Sequence, residues 1–410
     1  MEQNDIRLDV SCFIKEIRSL LAFREEQIDD NKAMELIEDY ILHDQRLSML
    51  SPKTCRKIIK RIFYSLRRDL EILQPYLEDE EVSEIMVNGK DHIFIEKKGH
   101  LLKVDLSFET VEELEELIRR LAARVHREIN ELHPIVDARL EDGSRVNAVY
   151  KNIALNGPIL TIRKFPKKAI DMSDLIDIGS ITQEAAEFLE RLVKAGYNCF
   201  ISGGTSSGKT TFLNVLSNFI PESERVIVIE DSAELQITQI ENIVRMECRQ
   251  ANTEEKGKVT MEDLIKTSLR MRPDRIIVGE VRGKEVMDMI QAMNTGHDGS
   301  LSSGHGNSIS GMLRRLESMF LQAADFPIEA IRSQIAEGID FIIHLGRLSD
   351  GSRKVLSIAE IAGMSSGEIQ TNELFKYKPG RGLLRSSSQL IHSEKLELRG
   401  MLYGNRLCKI

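Results

Sequence analysis

Residues Gly203-Gly204-Thr205-Ser206-Ser207-Gly208-Lys209-Thr210 follow the pattern G-x-x-x-x-G-K-T, with Thr211 next in line. Asn198 to Ser202 before them reads as a short buried strand, and Thr211 to Ser217 after them as the first turns of a helix. Strand, glycine-rich loop and helix together are the context that turns this spacing into a P-loop. Glycines let the backbone fold round an anion with its N–H groups inward, and the helix N-terminus adds positive potential there. Lys209 is placed to reach β- and γ-phosphates, and the Thr210 hydroxyl to ligate Mg²⁺. ATP and Mg²⁺ are therefore the expected cofactors. A chance match is the competing reading, and the correct flanks weigh against it.

At 410 residues the chain has room for two or three domains. Its formal net charge of −9 argues against a protein that coats nucleic acid, although a local basic groove stays open. The five cysteines contain no C-x-x-C pair, so neither a zinc ribbon nor a disulfide framework is expected, and a reducing compartment fits best. The acidic N-terminus reads as lacking a signal peptide, and no apolar run approaches a membrane span. Contact with a membrane is expected only through a partner.

Residues 1–75 form the expected helical extension. Ile6, Val10, Phe13, Ile14, Ile17, Leu20 and Leu21 recur at helical spacing, and two further stripes follow around Ile37 and Ile59. Such a bundle is either a folded appendage or a docking module. Residues 76–165 read as an α+β domain, mostly an antiparallel sheet with helices on one side. Its signals include the turn Asn88-Gly89-Lys90, a capping box at Thr110–Glu113, and strands at Ile135–Leu140, Arg145–Val149 and Ile159–Arg163. Residues 166–180 read as a linker, and 181–378 as an α/β domain in which strands alternate with helices around the P-loop. Residues 379–410 read as a loose polar tail.

Three polar clusters follow apolar strands, where a doubly wound sheet brings them to the ligand. Glu230 ends the Val226–Ile229 run and can orient and deprotonate water or hold Mg²⁺ through water; the alternative is a polar loop cap. Glu280 follows the Ile276–Val278 run, with Gly279 standing where an aspartate is expected. Two carboxylates facing one triphosphate suggest hydrolysis rather than storage. His297 and His305 lie in a Gly/Ser-rich stretch ending at Asn307, and read as a γ-phosphate sensor, as structural residues, or as a metal site that lacks a third ligand.

From about residue 82 to 361 the chain resembles the secretion ATPases of type II and type IV systems. Four boxes carry the resemblance: the Walker A box Gly203–Thr210, the aspartate box Ile229–Leu235, an atypical Walker B box Leu269–Arg282, and the histidine box Thr295–Asn307. Within that family it is most similar to the branch that assembles tight-adherence (Flp) pili, on Asp137–Ala148, Gly157–Phe165 and the helical extension. The tetracysteine insert of many type II secretion ATPases is absent, and Gly306 stands where the family usually has alanine. The resemblance implies a RecA-like P-loop domain, an α+β (PAS-like) domain before it, and a homohexameric ring. It implies catalytic roles for Glu230, Glu280, His297 and His305, with Arg145 and Arg163 reaching the phosphates from the α+β domain. Gly203 to Thr211 would hold ATP, and Thr210, Glu230 and Glu280 would hold Mg²⁺, partly through water. It further implies a motor at the cytoplasmic face of the inner membrane that drives pilus assembly or secretion through a platform protein. A RecA-like nucleic-acid translocase is the alternative; the acidic charge and the lack of a basic or aromatic track count against it. A non-hydrolysing nucleotide switch is a third reading, against which the paired carboxylates stand.

Overall fold

A computed structural model describes residues 10–22, 28–48, 50–125, 127–140, 142–165, 170–249 and 256–401. Ile6, the Leu21 side chain, Glu141, Pro166 to Ala169 and residues 402–410 lie outside the described residues. The chain divides into two compact units, Met1–Lys168 and Ala169–Ile410.

The first unit opens with α1 (Val10–Ala22), α2 (Asp30–His43) and α3 (Pro52–Arg67). Their apolar stripes meet in one core that includes Phe13, Ile17, Ile37, Ile41, Ile59 and Ile62. Leu20, counted in the stripe, is instead half exposed. Ser51 caps α3 through the Thr54 N–H, with Pro52 in the first turn. After α4 (Gln74–Glu78) come β1 (Val82–Asn88), β2 (Ile93–Lys97), β3 (His100–Lys103), α5 (Val111–Arg124), β4 (Ile135–Arg139), β5 (Arg145–Val149) and β6 (Ile159–Arg163). They form a six-stranded antiparallel sheet in the order β3-β2-β1-β6-β5-β4. Leu114, Leu117, Ile118 and Leu121 of α5 pack on its buried face. Thr110 caps α5 as expected, but Glu113 reaches back to the Glu109 N–H rather than to the cap residue. Gly89 is required at the β1–β2 turn: a Cβ there would stand 2.2 Å from the Asn156 carbonyl oxygen. The helical bundle is tied to this sheet domain, because Arg61 of α3 pairs with Glu109 at 3.1 Å and donates to the Ser107 carbonyl.

The second unit comprises α6 (Met172–Asp177), α7 (Gln183–Ala195), β7 (Cys199–Gly203), α8 (Lys209–Ser217), β8 (Val226–Glu230), β9 (Ile243–Glu247), α9 (Met261–Ser268), β10 (Arg275–Val278), α10 (Val286–Asn294), β11 (Leu301–His305), α11 (Ile309–Ala323) and α12 (Ile328–Gly338). It ends with β12 (Phe341–Arg347), β13 (Arg353–Ser365), β14 (Glu368–Lys378), β15 (Gly382–Arg385) and α13 (Glu394–Leu398). One nine-stranded sheet runs β15-β14-β13-β12-β7-β11-β10-β8-β9. Strands β12, β7, β11, β10, β8 and β9 are parallel; β13 to β15 are antiparallel. One face buries α7 and α8, the other α9 to α12, so the central strands are apolar on both sides. The β13–β14 turn has Ser366 and Gly367 at φ +52° and +77°, the positive angles a tight hairpin needs.

Two expectations are corrected here. Of the expected linker, residues 171–180 fold into the second unit: Asp171 and Asp174 form a capping box on α6, and Leu175 is buried. The expected loose tail supplies β15 and α13 as far as Met401, and Leu396 is buried, contributing about 1.5–3 kcal/mol. Its polar composition hides the anchor, the buried carboxylate of Glu360, which accepts from the Ile391 and His392 N–H groups. Among the described residues no helix is long and apolar enough to cross a membrane.

Candidate nucleotide site

The strand order sets the site. β7 ends at Gly203; β11, its neighbour, ends at His305 directly opposite; β10 and β8 end one and two strands further on. The first glycine admits no side chain, because a Cβ on Gly203 would meet Ser207 Oγ at 2.4 Å and the Leu345 carbonyl oxygen at 2.8 Å. Ser207 is buried and its hydroxyl donates to the Gly204 carbonyl at 2.9 Å, closing the loop from inside. Gly208 takes φ +93° and forms the N-cap of α8 without a side-chain cap bond, and the first turn has no acidic residue. The helix N-terminus is thus left to an anion. Thr205 and Ser206 are exposed on the loop, while Thr210 and Thr211 are half-buried in the first turn of α8.

Lys209 is buried, and its Nζ donates to the Gly204 carbonyl at 3.0 Å and to His305 Nδ1 at 3.2 Å. With Nδ1 accepting, the neutral imidazole carries its proton on Nε2, which lies 2.7 Å from Glu280 Oε1. Burial lowers the pKa of both Lys209 and His305, and the Glu280 charge opposes the shift in each. Glu280 is held in turn by Arg282 at 2.9 Å, which also faces Asp231 at 3.7 Å. The result is a continuous run from P-loop lysine through histidine to carboxylate and arginine. Arg282 was overlooked as a site residue, although it sits two positions after Glu280 in the same polar run.

Glu230 is buried, and its Oε1 accepts from the Glu234 and Leu235 N–H groups at 2.8 and 3.1 Å. The carboxylate therefore caps its own loop, and its side chain packs beside Gly279. This explains the atypical Gly279: a Cβ there would lie 3.0 Å from Glu230 Cγ. The neighbouring strand fills the space that an aspartate would need. Gly306 has a similar cause, since a Cβ there would lie 2.8 Å from Ser202 Oγ.

His297 is not brought to this end. It precedes β11 by four residues, at the strand's amino end, while His305 stands at its carboxyl end. Its Nδ1 lies 3.2 Å from the Ala292 carbonyl, and its own carbonyl accepts from Ser300. That half of the histidine box packs round Arg275, which is 1% exposed and pairs with Glu224; a Cβ on Gly299 would stand 2.4 Å from Arg275 Nη1. A second histidine does approach the loop without any motif to signal it: His344 of β12 is buried, with Nδ1 3.2 Å from Ser202 Oγ.

Arg145 and Arg163 lie in the first unit, directly opposite one another on β5 and β6, with Arg139 opposite Arg145 on β4. Arg163 is exposed and its Nε lies 3.5 Å from Glu84. Among the described residues no cluster of three or more His, Cys, Asp or Glu could hold a metal ion by itself. Mg²⁺ asks for less, since it takes one or two protein ligands and completes its shell with phosphate oxygens and water.

Comparison with known proteins gives the family and the fold. Residues 67–380 match the family described as type II/IV secretion system protein. An uncharacterised protein of Methanocaldococcus jannaschii is 43% identical over 60% of this chain, a match that spans only 35% of that relative's length. A probable conjugal transfer protein TrbB of Sinorhizobium fredii is 32% identical, with 74% of this chain and 91% of that protein covered. The X-ray structure of the Legionella pneumophila ATPase DotB shares the fold at TM-score 0.51 and 21% identity, over 70% of this chain and 79% of that one. The chain belongs to the type II/IV secretion system protein family, the ATPases of those systems.

Proposed function

We propose that this chain is a homohexameric motor that hydrolyses ATP to drive assembly of tight-adherence or type IV-like pili, or protein secretion, through an inner-membrane platform protein. The observation that carries the reading is the run Lys209–His305–Glu280 at the mouth of the P-loop. A bound γ-phosphate would compete with His305 for Lys209, so the imidazole would sense it and pass the change to Glu280. Gly203 to Thr211 would hold the phosphates. Thr210 and Glu280, with Glu230 behind them, would hold Mg²⁺, which neutralises charge on the phosphates when bound. Glu280 is the carboxylate proposed to accept a proton from water, because it joins Lys209 through His305, whereas Glu230 caps its own loop through two amides. Arg145 and Arg163 would stabilise charge on the transferred phosphoryl group when the first unit closes on the nucleotide, making hydrolysis a domain motion. Support for the tight-adherence branch is confined to the Asp137–Ala148 and Gly157–Phe165 stretches and the helical extension. The work is expected at the cytoplasmic face of the membrane, reached through the platform.

The test is steady-state phosphate release from the purified chain, with and without single-stranded DNA, beside sedimentation with and without Mg-ATP. A ring that turns over ATP and is indifferent to DNA supports the proposal. Turnover that requires DNA would replace it with nucleic-acid translocation, and nucleotide binding without turnover would replace it with a switch.

A further inference from the structure

Arg347 and Arg353 face each other across the hairpin that joins β12 to β13. The register before them decides which side of the sheet they occupy. Leu345 pairs with Val355, and both are buried in the core that holds Phe212 and Leu213 of α8. Residues two apart on a strand share a face. Arg347 and Arg353 therefore continue that face past the end of the core, on the side that α8 covers. Leu345 also lies opposite Gly203 on the parallel strand β7, so the two arginines stand just beyond the first glycine of the loop. Arg353 lies next to the loop: a Cβ on Gly208 would be 3.5 Å from Arg353 Cδ.

Two like charges directly opposite on an antiparallel pair repel. Neither guanidinium has a carboxylate partner among the described residues. The arrangement suits an anion placed at the loop. The strand order says which part of the anion. Glu280 and Glu230 follow β10 and β8, on one flank of β7; β12 and β13 form the other flank. On the ATP-site reading above, the carboxylate flank would handle a metal and the terminal phosphate. The arginine flank then serves the phosphates nearer the nucleoside.

We infer that Arg353, flanked by Arg347, is a nucleotide-binding residue of this site that grips the phosphates nearest the nucleoside, in ATP and ADP alike. The inference rests on the ATP-site reading above. A contact made equally to substrate, transition state and product is uniform binding, which sets KM and leaves kcat alone. Arg353 thus holds ADP after hydrolysis as well as ATP before it.

The experiment compares the parent, Arg353→Ala, Arg353→Lys and Lys209→Ala as full-length chains. Affinities for ATP, ADP and inorganic tripolyphosphate are measured by titration, together with kcat and KM and a melting curve to confirm folding. Arg353→Ala is expected to weaken all three ligands by about 10-fold or more and to raise KM to match, with kcat within about twofold. Arg353→Lys, which keeps the charge, should recover part of the loss. Unchanged affinities in Arg353→Ala overturn the inference. An unchanged tripolyphosphate affinity with weakened ATP also overturns it, because the side chain would then read the nucleoside. So does a loss for ATP alone with a fallen kcat, which would mark a contact to the terminal phosphate. If the parent binds none of the ligands, or Lys209→Ala binds them as the parent does, the ATP-site reading itself fails, a different result.

Discussion

Gly279→Ala tests the packing that makes the acidic strand end atypical. The added Cβ would sit 3.0 Å from Glu230 Cγ, whereas carbon atoms in contact prefer about 3.5–4.0 Å. Glu230 cannot swing away freely, since it is 4% exposed and its Oε1 is engaged by the Glu234 and Leu235 amides. One side must give by a few tenths of an ångström, and such overpacking costs about 1–3 kcal/mol. In a unit of this size each kcal/mol lowers Tm by about 2–4 °C, so a fall of roughly 2–12 °C is expected. Turnover should fall further than stability suggests if the displaced carboxylate has the role proposed for it. The decisive measurement is a double-mutant cycle with Glu230→Ala, which removes Cγ. If Cγ is the obstacle, Gly279→Ala should cost little in that background, giving a coupling of about 1 kcal/mol or more. An equal cost in both backgrounds, or a Tm within 1 °C of the parent, would refute the steric account of Gly279.

Glu280→Gln keeps size and removes the charge facing His305 and Arg282; Mg-ATP binding should survive while turnover falls about 100-fold or more, and parent-like turnover would remove Glu280 from the chemistry. Burial lowers the pKa of His344, so between that lowered value and the ordinary one near 6.5 the unfolded chain holds more protons than the folded one. Stability should therefore rise with pH through that window and fall on acidification, and His344→Asn should flatten the slope in denaturant titrations between about pH 5 and 7.5. Arg163→Ala should cut turnover by about 1000-fold with ATP affinity largely kept and no loss of Tm; turnover within twofold of the parent would leave Arg163 a surface residue of its sheet.

The parts of the fold that were legible in sequence are those where local pattern and global need agree. The P-loop and the apolar strands beside it each carry their own chemistry, and each stands as expected. The strand β9 was missed because Ile243–Glu247 alternates weakly and pairs only on one side, as an edge strand. The tail was missed for a different reason. Its anchors are Glu360, far away in sequence, and the Tyr197 hydroxyl, which donates to the His392 carbonyl at 2.7 Å; polar composition does not reveal such partners. At the site, spacing could pair His297 with His305 on one motif, but it could not say that β11 would separate them end to end. Nor does any local signal mark His344, which reaches Ser202 only because β12 lies beside β7.

Two rows of arginine bear on the proposed motor. Arg139, Arg145 and Arg163 stand in one cross-strand row of the first unit, and Arg347 and Arg353 in a hairpin of the second. Like charges directly opposite destabilise a strand pair by up to about 1 kcal/mol. In the first row the exposed Arg163 meets Glu84 at 3.5 Å, and in the second Arg347 and Arg353 have no carboxylate partner among the described residues. Concentrating cations in this way makes sense where an anion completes the structure. The rows differ in what they ask of it. Arg353 lies against the loop that would hold the nucleotide, so its contact persists through the cycle. Arg145 and Arg163 belong to a separate unit and would gain their anion only when that unit closes on the nucleotide. Binding would then be charged to one row and movement to the other. On the proposal above, ATP could be held by the second unit first and hydrolysed only once the arginines of the first unit contribute, which is the order of events a motor requires.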